Sequence, residues 1–147
     1  MNRAVGKIAA GYGKLLPEFP LDQSITIDIA GRQRMLSQKA AKEICLIMAG
    51  IDPAVNRDRL TKTTKLFSDV ADALINGIPG MIAAAPNDAI RAQLTEVQNK
   101  WELSRGIFAD VAAGADICCG NDQIVIEKME AVLNTMNQVV GMYETAW

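Results

Sequence analysis

Two arginines, Arg32 and Arg34, lie within Ile-Asp-Ile-Ala-Gly-Arg-Gln-Arg-Met-Leu-Ser-Gln-Lys, residues 27–39, a stretch that otherwise has the character of a packed helix. A guanidinium taken out of water is costly unless something anionic meets it. Its planar fork matches the oxygens of a carboxylate, nitrate or phosphate with paired hydrogen bonds. Recognition of a small anion is the chemistry this stretch could do.

The two arginines are not equivalent on a helix. Arg32 follows Asp28 by four residues, the better order for a helical acid–base pair. Arg34 has Ala30 and Gln38 four residues away and Gly31 and Ser37 three away, so its own helix offers it no acid. Two readings stay open. Either Arg34 reaches an acid on another helix, such as Asp69, Asp72 or Glu96, or extends to solvent, or it waits for a small anion. Gly31, which costs a helix roughly 1 kcal/mol against alanine, is tolerated best where a backbone or a ligand must come close. Ser37 and Gln38 could help orient such a ligand. If two copies pair across a two-fold axis near this helix, Arg34 faces its own counterpart. Like charges held close then need an anion between them.

Other chemistries find little support. The chain has no histidine, which excludes a Ser-His-Asp triad, histidine-held haem and the Glu-x-x-His di-iron pair. Its three cysteines cannot make a zinc site by themselves, and no cofactor or metal is expected. Cys118 and Cys119 are expected as plain loop cysteines, or as an oxidised pair in an exported protein, ahead of a redox or metal role. Cys45 is expected as a small buried residue. No acid–base pair or nucleophile can be assembled from the spacing, so an enzyme is not expected. A formal charge of −2 argues against nucleic-acid binding. No run approaches the roughly 18 apolar residues needed to cross a bilayer. Lys7 and Lys14 interrupt what would be a signal-peptide core. The chain is expected either to be cytoplasmic or to be exported or anchored through segments outside this sequence.

These residues need a scaffold, and the pattern supplies one. Half the residues are apolar but only 5% are aromatic, which favours helices packed through aliphatic side chains over a sandwich. Asp52-Pro53, Gly77–Gly80 and Gly114–Asp122 divide the chain into four long pieces with alternating four- and three-residue intervals. The predicted seams are Ile27, Gly31, Arg34, Gln38, Ala41, Cys45 and Met48; Leu60, Thr63, Phe67, Val70 and Leu74; Ile90, Leu94, Val97, Trp101, Ser104, Phe108 and Val111; and Val125, Met129, Val132, Met136, Val139 and Tyr143. Gly50 should stop the first helix, and Asp52, Asn87 and Asn121 should cap the next three. The expectation is an all-α, antiparallel, up-down-up-down four-helix bundle over residues 21–147, with residues 1–20 a lead-in carrying a short helical turn near Val5–Gly11. The aromatic and methionine residues are expected to be core, and the Arg57–Lys65 basic stretch a solvated face.

Residues 27–38 closely resemble the signature of PilJ-type sensory domains. These are extracytoplasmic input domains of certain methyl-accepting chemotaxis transducers, akin to those of the NarX and NarQ nitrate/nitrite sensor kinases. Leu66-Phe67, Gly77, Trp101 and the ending Met136–Glu144 extend the likeness over nearly the whole chain. Asp28 stands where the family usually has asparagine, and Arg32-Gln33 follows the transducer version of the motif. The resemblance implies a homodimeric bundle that detects a ligand in the periplasm or elsewhere outside the cytoplasm, with a signalling or chemoreceptor partner. It further implies that Arg34, just before the motif's methionine, meets nitrate or nitrite at the dimer interface; Gly31, Ser37, Gln38 and Arg32 are the other residues expected in the ligand site. The rival is an adaptor bundle that keeps the fold without the ligand, in which Arg34 has an acidic protein partner.

Overall fold

A computed structural model describes residues 21–115 and 121–146. Four helices account for most of them: α1 Leu21–Met48, α2 Pro53–Asn76, α3 Asp88–Ala112 and α4 Asn121–Ala146. The lead-in, the turn near Val5–Gly11 and the Cys118-Cys119 pair lie outside the described residues, as does the side chain of Asn121, where a cap was expected.

Local chemistry sets most of the boundaries. At the end of α1 the Gly50 amide donates to the Ile47 carbonyl (3.0 Å) and the Ile51 amide to that of Leu46 (2.9 Å), the Schellman pattern with Gly50 at φ 70°. Asn87 caps α3 as expected, its side chain accepting from the Ile90 amide at 2.9 Å. Asp52 does not cap α2. The tight turn holds it at φ 40° and ψ 53°, whereas a capping side chain needs extended backbone to reach the first free amides, and its carboxylate makes no capping bond. Buried Asn56 fastens this corner instead, donating to the carbonyls of Ile51 (2.8 Å) and Asp52 (3.3 Å).

Neighbouring helices run antiparallel. Lys39 meets Thr63 while Gln33 meets Phe67, so α2 descends as α1 rises. Trp101 meets Ser68 and Arg91 meets Ile75 between α3 and α2; Lys100 meets Thr135 and Gln93 meets Gln138 between α3 and α4. Helix α1 packs on α2 and α4, and α3 on the same two, which closes an up-down-up-down four-helix bundle.

The seams of α3 and α4 are buried at every predicted position, and that of α2 at all but half-buried Val70. At mid-height Phe67 stacks on Trp101 with ring centroids 3.8 Å apart, and Trp101 tilts against Phe108 at 5.2 Å. The α2–α3 crossover turns at Pro79-Gly80, where Ile78 and Ile82 exchange backbone bonds, and it is pinned to α1 by the Ala83 amide donating to Thr26 Oγ1 at 3.0 Å. Gly77 is required there. It lies at φ 78°, and a Cβ on it would stand 2.9 Å from the Ala84 nitrogen.

Tyr143 closes the same end of the bundle, fully buried, its hydroxyl donating to the Leu74 carbonyl at 3.4 Å. Burial pushes its phenol up from 10.0 to about 12, against a smaller downward pull from Arg91. The folded state therefore keeps a proton that the unfolded chain releases first, a contribution present below pH 10 and lost as pH rises toward 12. Urea titrations across this window should show the wild type losing on the order of 2 kcal/mol relative to Tyr143→Phe. Parallel pH profiles for the two proteins would contradict this.

Candidate functional site

Helix α1 presents a different face to the core from the one its apolar pattern suggested. The buried series is Ala30, Gln33, Ser37, Ala40, Ile44 and Ile47, one residue before the predicted seam throughout. One residue is a rotation of about 100°. It turns Gly31, Arg34, Gln38, Ala41, Cys45 and Met48 away from the bundle axis, and Cys45, expected to be buried, is exposed.

Polar anchoring accompanies this rotation. Gln33 is fully buried and its Nε2 donates to the Phe67 carbonyl on α2 at 2.9 Å. Two turns further along α1, Lys39 Nζ meets Glu43 Oε1 (2.5 Å) and Thr63 Oγ1 (2.6 Å), and Thr63 also donates to Glu43 at 3.2 Å. These bonds tie one flank of α1 to α2. Ser37 is fully buried as well, and its hydroxyl donates back to the Arg34 carbonyl at 2.8 Å. It fixes the helix beneath Arg34 and is not brought to the outer side of the guanidinium.

Arg34 emerges on the flank toward α4. Its Nε donates to the Gly31 carbonyl at 3.3 Å, and Nη1 donates to Asn137 Oδ1 on α4 at 3.2 Å. Nη2 lies 3.6 Å from where a Gly31 Cβ would stand, so the group that closely approaches this glycine is the arginine's own guanidinium, folded onto its helix. The acids that the sequence offered it are each engaged on their own helix. Asp69 pairs with Lys65 at 2.7 Å, Glu96 lies 3.4 Å from Lys100, and Asp72 accepts from Asn76 at 3.0 Å. Among the described residues Arg34 pairs with no carboxylate. Its positive charge is met only by two neutral oxygens.

Arg32 behaves as its spacing predicted, with Nε 2.8 Å from Asp28 Oδ2. Gln38 is exposed on the Arg34 side of the helix. Asn137 is the residue that sequence reasoning missed. It lies 103 positions from Arg34, and no spacing links them before the bundle closes. Among the described residues no group of three or more histidine, cysteine or acidic side chains could hold a metal ion. The basic stretch of α2 is solvated at Arg59, Lys62 and Lys65, with Lys62 paired to Asp58 and Lys65 to Asp69, whereas Arg57 is half-buried with its Nε out of solvent.

Comparison with known proteins agrees with this architecture. Residues 22–124 match PilJ, the N-terminal domain of type IV pili methyl-accepting chemotaxis transducers. The ligand binding domain of the P. aeruginosa nitrate receptor McpN is similar in structure, with a TM-score of 0.71 at 26% sequence identity, covering 82% of this chain and 94% of that one. Among curated proteins compared by sequence, none matches.

Gln33 offers a test of how α1 is held. Its Oε1 is buried without a partner among the described residues, while Nε2 alone ties the side chain to α2. Gln33→Met keeps the volume and removes the orphaned oxygen, and should change stability by no more than about 1 kcal/mol. Gln33→Ala should cost roughly 2 kcal/mol or more through the cavity it leaves. Urea midpoints decide; a harmless alanine variant would mean that this side chain does not set the packing of α1.

Proposed function

The chain belongs to the PilJ family of sensory domains, and we propose that it senses a small oxyanion, nitrate or nitrite, held by Arg34 where two copies of the chain meet. The family and the similar structure are of sensory, not catalytic, domains. The observation that carries the ligand reading is the state of Arg34, a guanidinium held by two neutral oxygens with no carboxylate on it among the described residues. An adaptor bundle with no ligand would be expected to neutralise that charge with a protein acid.

The surroundings support the same reading. Gln38 sits on the same side of the helix as Arg34 and is exposed. Arg32 is already paired with Asp28 and adds less potential than an unpaired arginine would. Met35, the residue after Arg34, is 71% exposed on the outward side of α1. Apolar area of this kind next to a charge suits burial against a second copy. Two guanidinium charges about 7 Å apart at an effective dielectric of about 20 repel by roughly 2 kcal/mol. An anion midway is attracted to each by roughly 5 kcal/mol. The dimer and the ligand would thus stabilise one another.

Nitrate recognition is stated for the McpN domain and supports the choice of anion here. As in chemotaxis transducers, the domain would work outside the cytoplasm and act on a signalling partner. No helix among the described residues is long and apolar enough to cross a membrane, so attachment to one would use other segments.

In a thermal-melt screen at fixed ionic strength, nitrate or nitrite should raise the melting temperature selectively over chloride, sulfate and small carboxylates. A ligand that binds only the folded state adds about 2.7 kcal/mol at a hundredfold excess over its dissociation constant. Arg34→Ala should fold normally and lose the shift. A variant that responds like the wild type, or a flat response across the panel, would contradict the proposal.

A further inference from the structure

We infer that Asn137 on α4 completes the anion site, its carboxamide oxygen fixing the Arg34 guanidinium and its NH2 group donating to the same ligand. The inference rests on the reading of Arg34 as the anion anchor and adds a residue from a second helix to it.

Chemistry fixes the orientation of the amide. A guanidinium only donates, so the atom 3.2 Å from Nη1 has to be Oδ1, and the NH2 group is the other branch of the same small plane. The guanidinium is positioned in a matching way. Nε is spent on the Gly31 carbonyl, Nη1 gives a proton to Asn137, and Nη2 lies over Gly31 with no hydrogen-bond partner among the described residues. The Nη1–Nη2 end of the fork therefore keeps free donors, and the Asn137 NH2 group stands next to it. A planar oxyanion laid across that end meets donors from both side chains.

Helix α4 places this amide without using it for packing. Met136, Val139 and Val140 are buried around it, whereas Asn137 is exposed. Its sequence neighbour Gln138 accepts from Gln93 of α3 at 2.6 Å, so adjacent amides on α4 serve opposite flanks of the helix. Only the one on the α1 side meets an arginine.

A neutral amide suits this position better than the acid of similar shape. A carboxylate would take the fork itself in a charge-assisted pair and cancel the charge that the anion needs. An apolar residue would leave a long, flexible side chain to be ordered at the moment of binding. Asparagine holds the guanidinium and leaves its charge intact. The anion would then touch α1 and α4 of one protomer at once.

Calorimetric titration of sodium nitrate at fixed ionic strength, on the wild type, Asn137→Ala, Asn137→Asp and Arg34→Ala, tests this. Loss of one neutral hydrogen bond should weaken binding about five- to tenfold in Asn137→Ala. Asn137→Asp should weaken it considerably further, and both variants should melt no lower than the wild type without ligand. If Arg34→Ala abolishes binding while both Asn137 variants bind like the wild type, the inference fails and the anion site at Arg34 stands. Equal losses in the alanine and aspartate variants would also overturn it, because a position that only props α4 against α1 does not distinguish an absent side chain from a competing charge. If the wild type binds no nitrate, or Arg34→Ala binds it unchanged, the functional reading fails and the role of Asn137 falls with it.

Discussion

The orientation of α1 about its own axis governs the rest of this molecule. Gln33 is the fixed point. With its side chain fully buried and bonded to the Phe67 carbonyl, the helix cannot turn by a residue without carrying that amide out of the core. The acceptor is a main-chain carbonyl within α2, and the Phe67 side chain is stacked on Trp101 in the core. The flank toward α2 is further tied by Lys39, Glu43 and Thr63. Everything on the other flank, Gly31 and Arg34 above all, then faces outward beside α4.

The arrangement separates charge from structure. Arg32 is paired with Asp28 within one helix, an ordinary contribution to helix stability that leaves little net charge behind. Arg34 is ordered by neutral acceptors and keeps its charge. Ordering a guanidinium in this way is useful chiefly when something else supplies the anion, since a structural arginine would be better served by an acid. The acids that the sequence offered as partners, Asp69, Asp72 and Glu96, are each engaged on their own helix. The site is thus distinguished less by which residues it contains than by what is kept away from it.

Much of this was legible in the chain and some was not, for definite reasons. Helices α3 and α4 were readable to the residue because their seams are apolar at almost every position, with buried Ser104 in α3 the exception. In α1 the buried stripe contains Gln33 and Ser37, while the outward stripe contains Ile27, Ala41, Cys45 and Met48. The buried stripe also holds Ala30, Ala40, Ile44 and Ile47, so each stripe has four apolar residues and counting them does not choose between the faces. Hydrophobicity reports burial only where the buried groups are apolar. The Arg32–Asp28 pair was visible because a helix fixes four-residue spacing. Asn137 was not, because its meeting with Arg34 depends on how α4 returns alongside α1. Asp52 failed as a cap through its backbone, left-handed in a turn whose geometry no single residue announces.

The central claim is that one anion is shared by two copies of Arg34, and its most direct measure is the stoichiometry of a calorimetric nitrate titration run at protein concentrations above the dimer dissociation constant. The account predicts saturation at one anion for every two chains. Saturation at one anion per chain would contradict it, placing a complete site within each protomer and removing the interface from the chemistry.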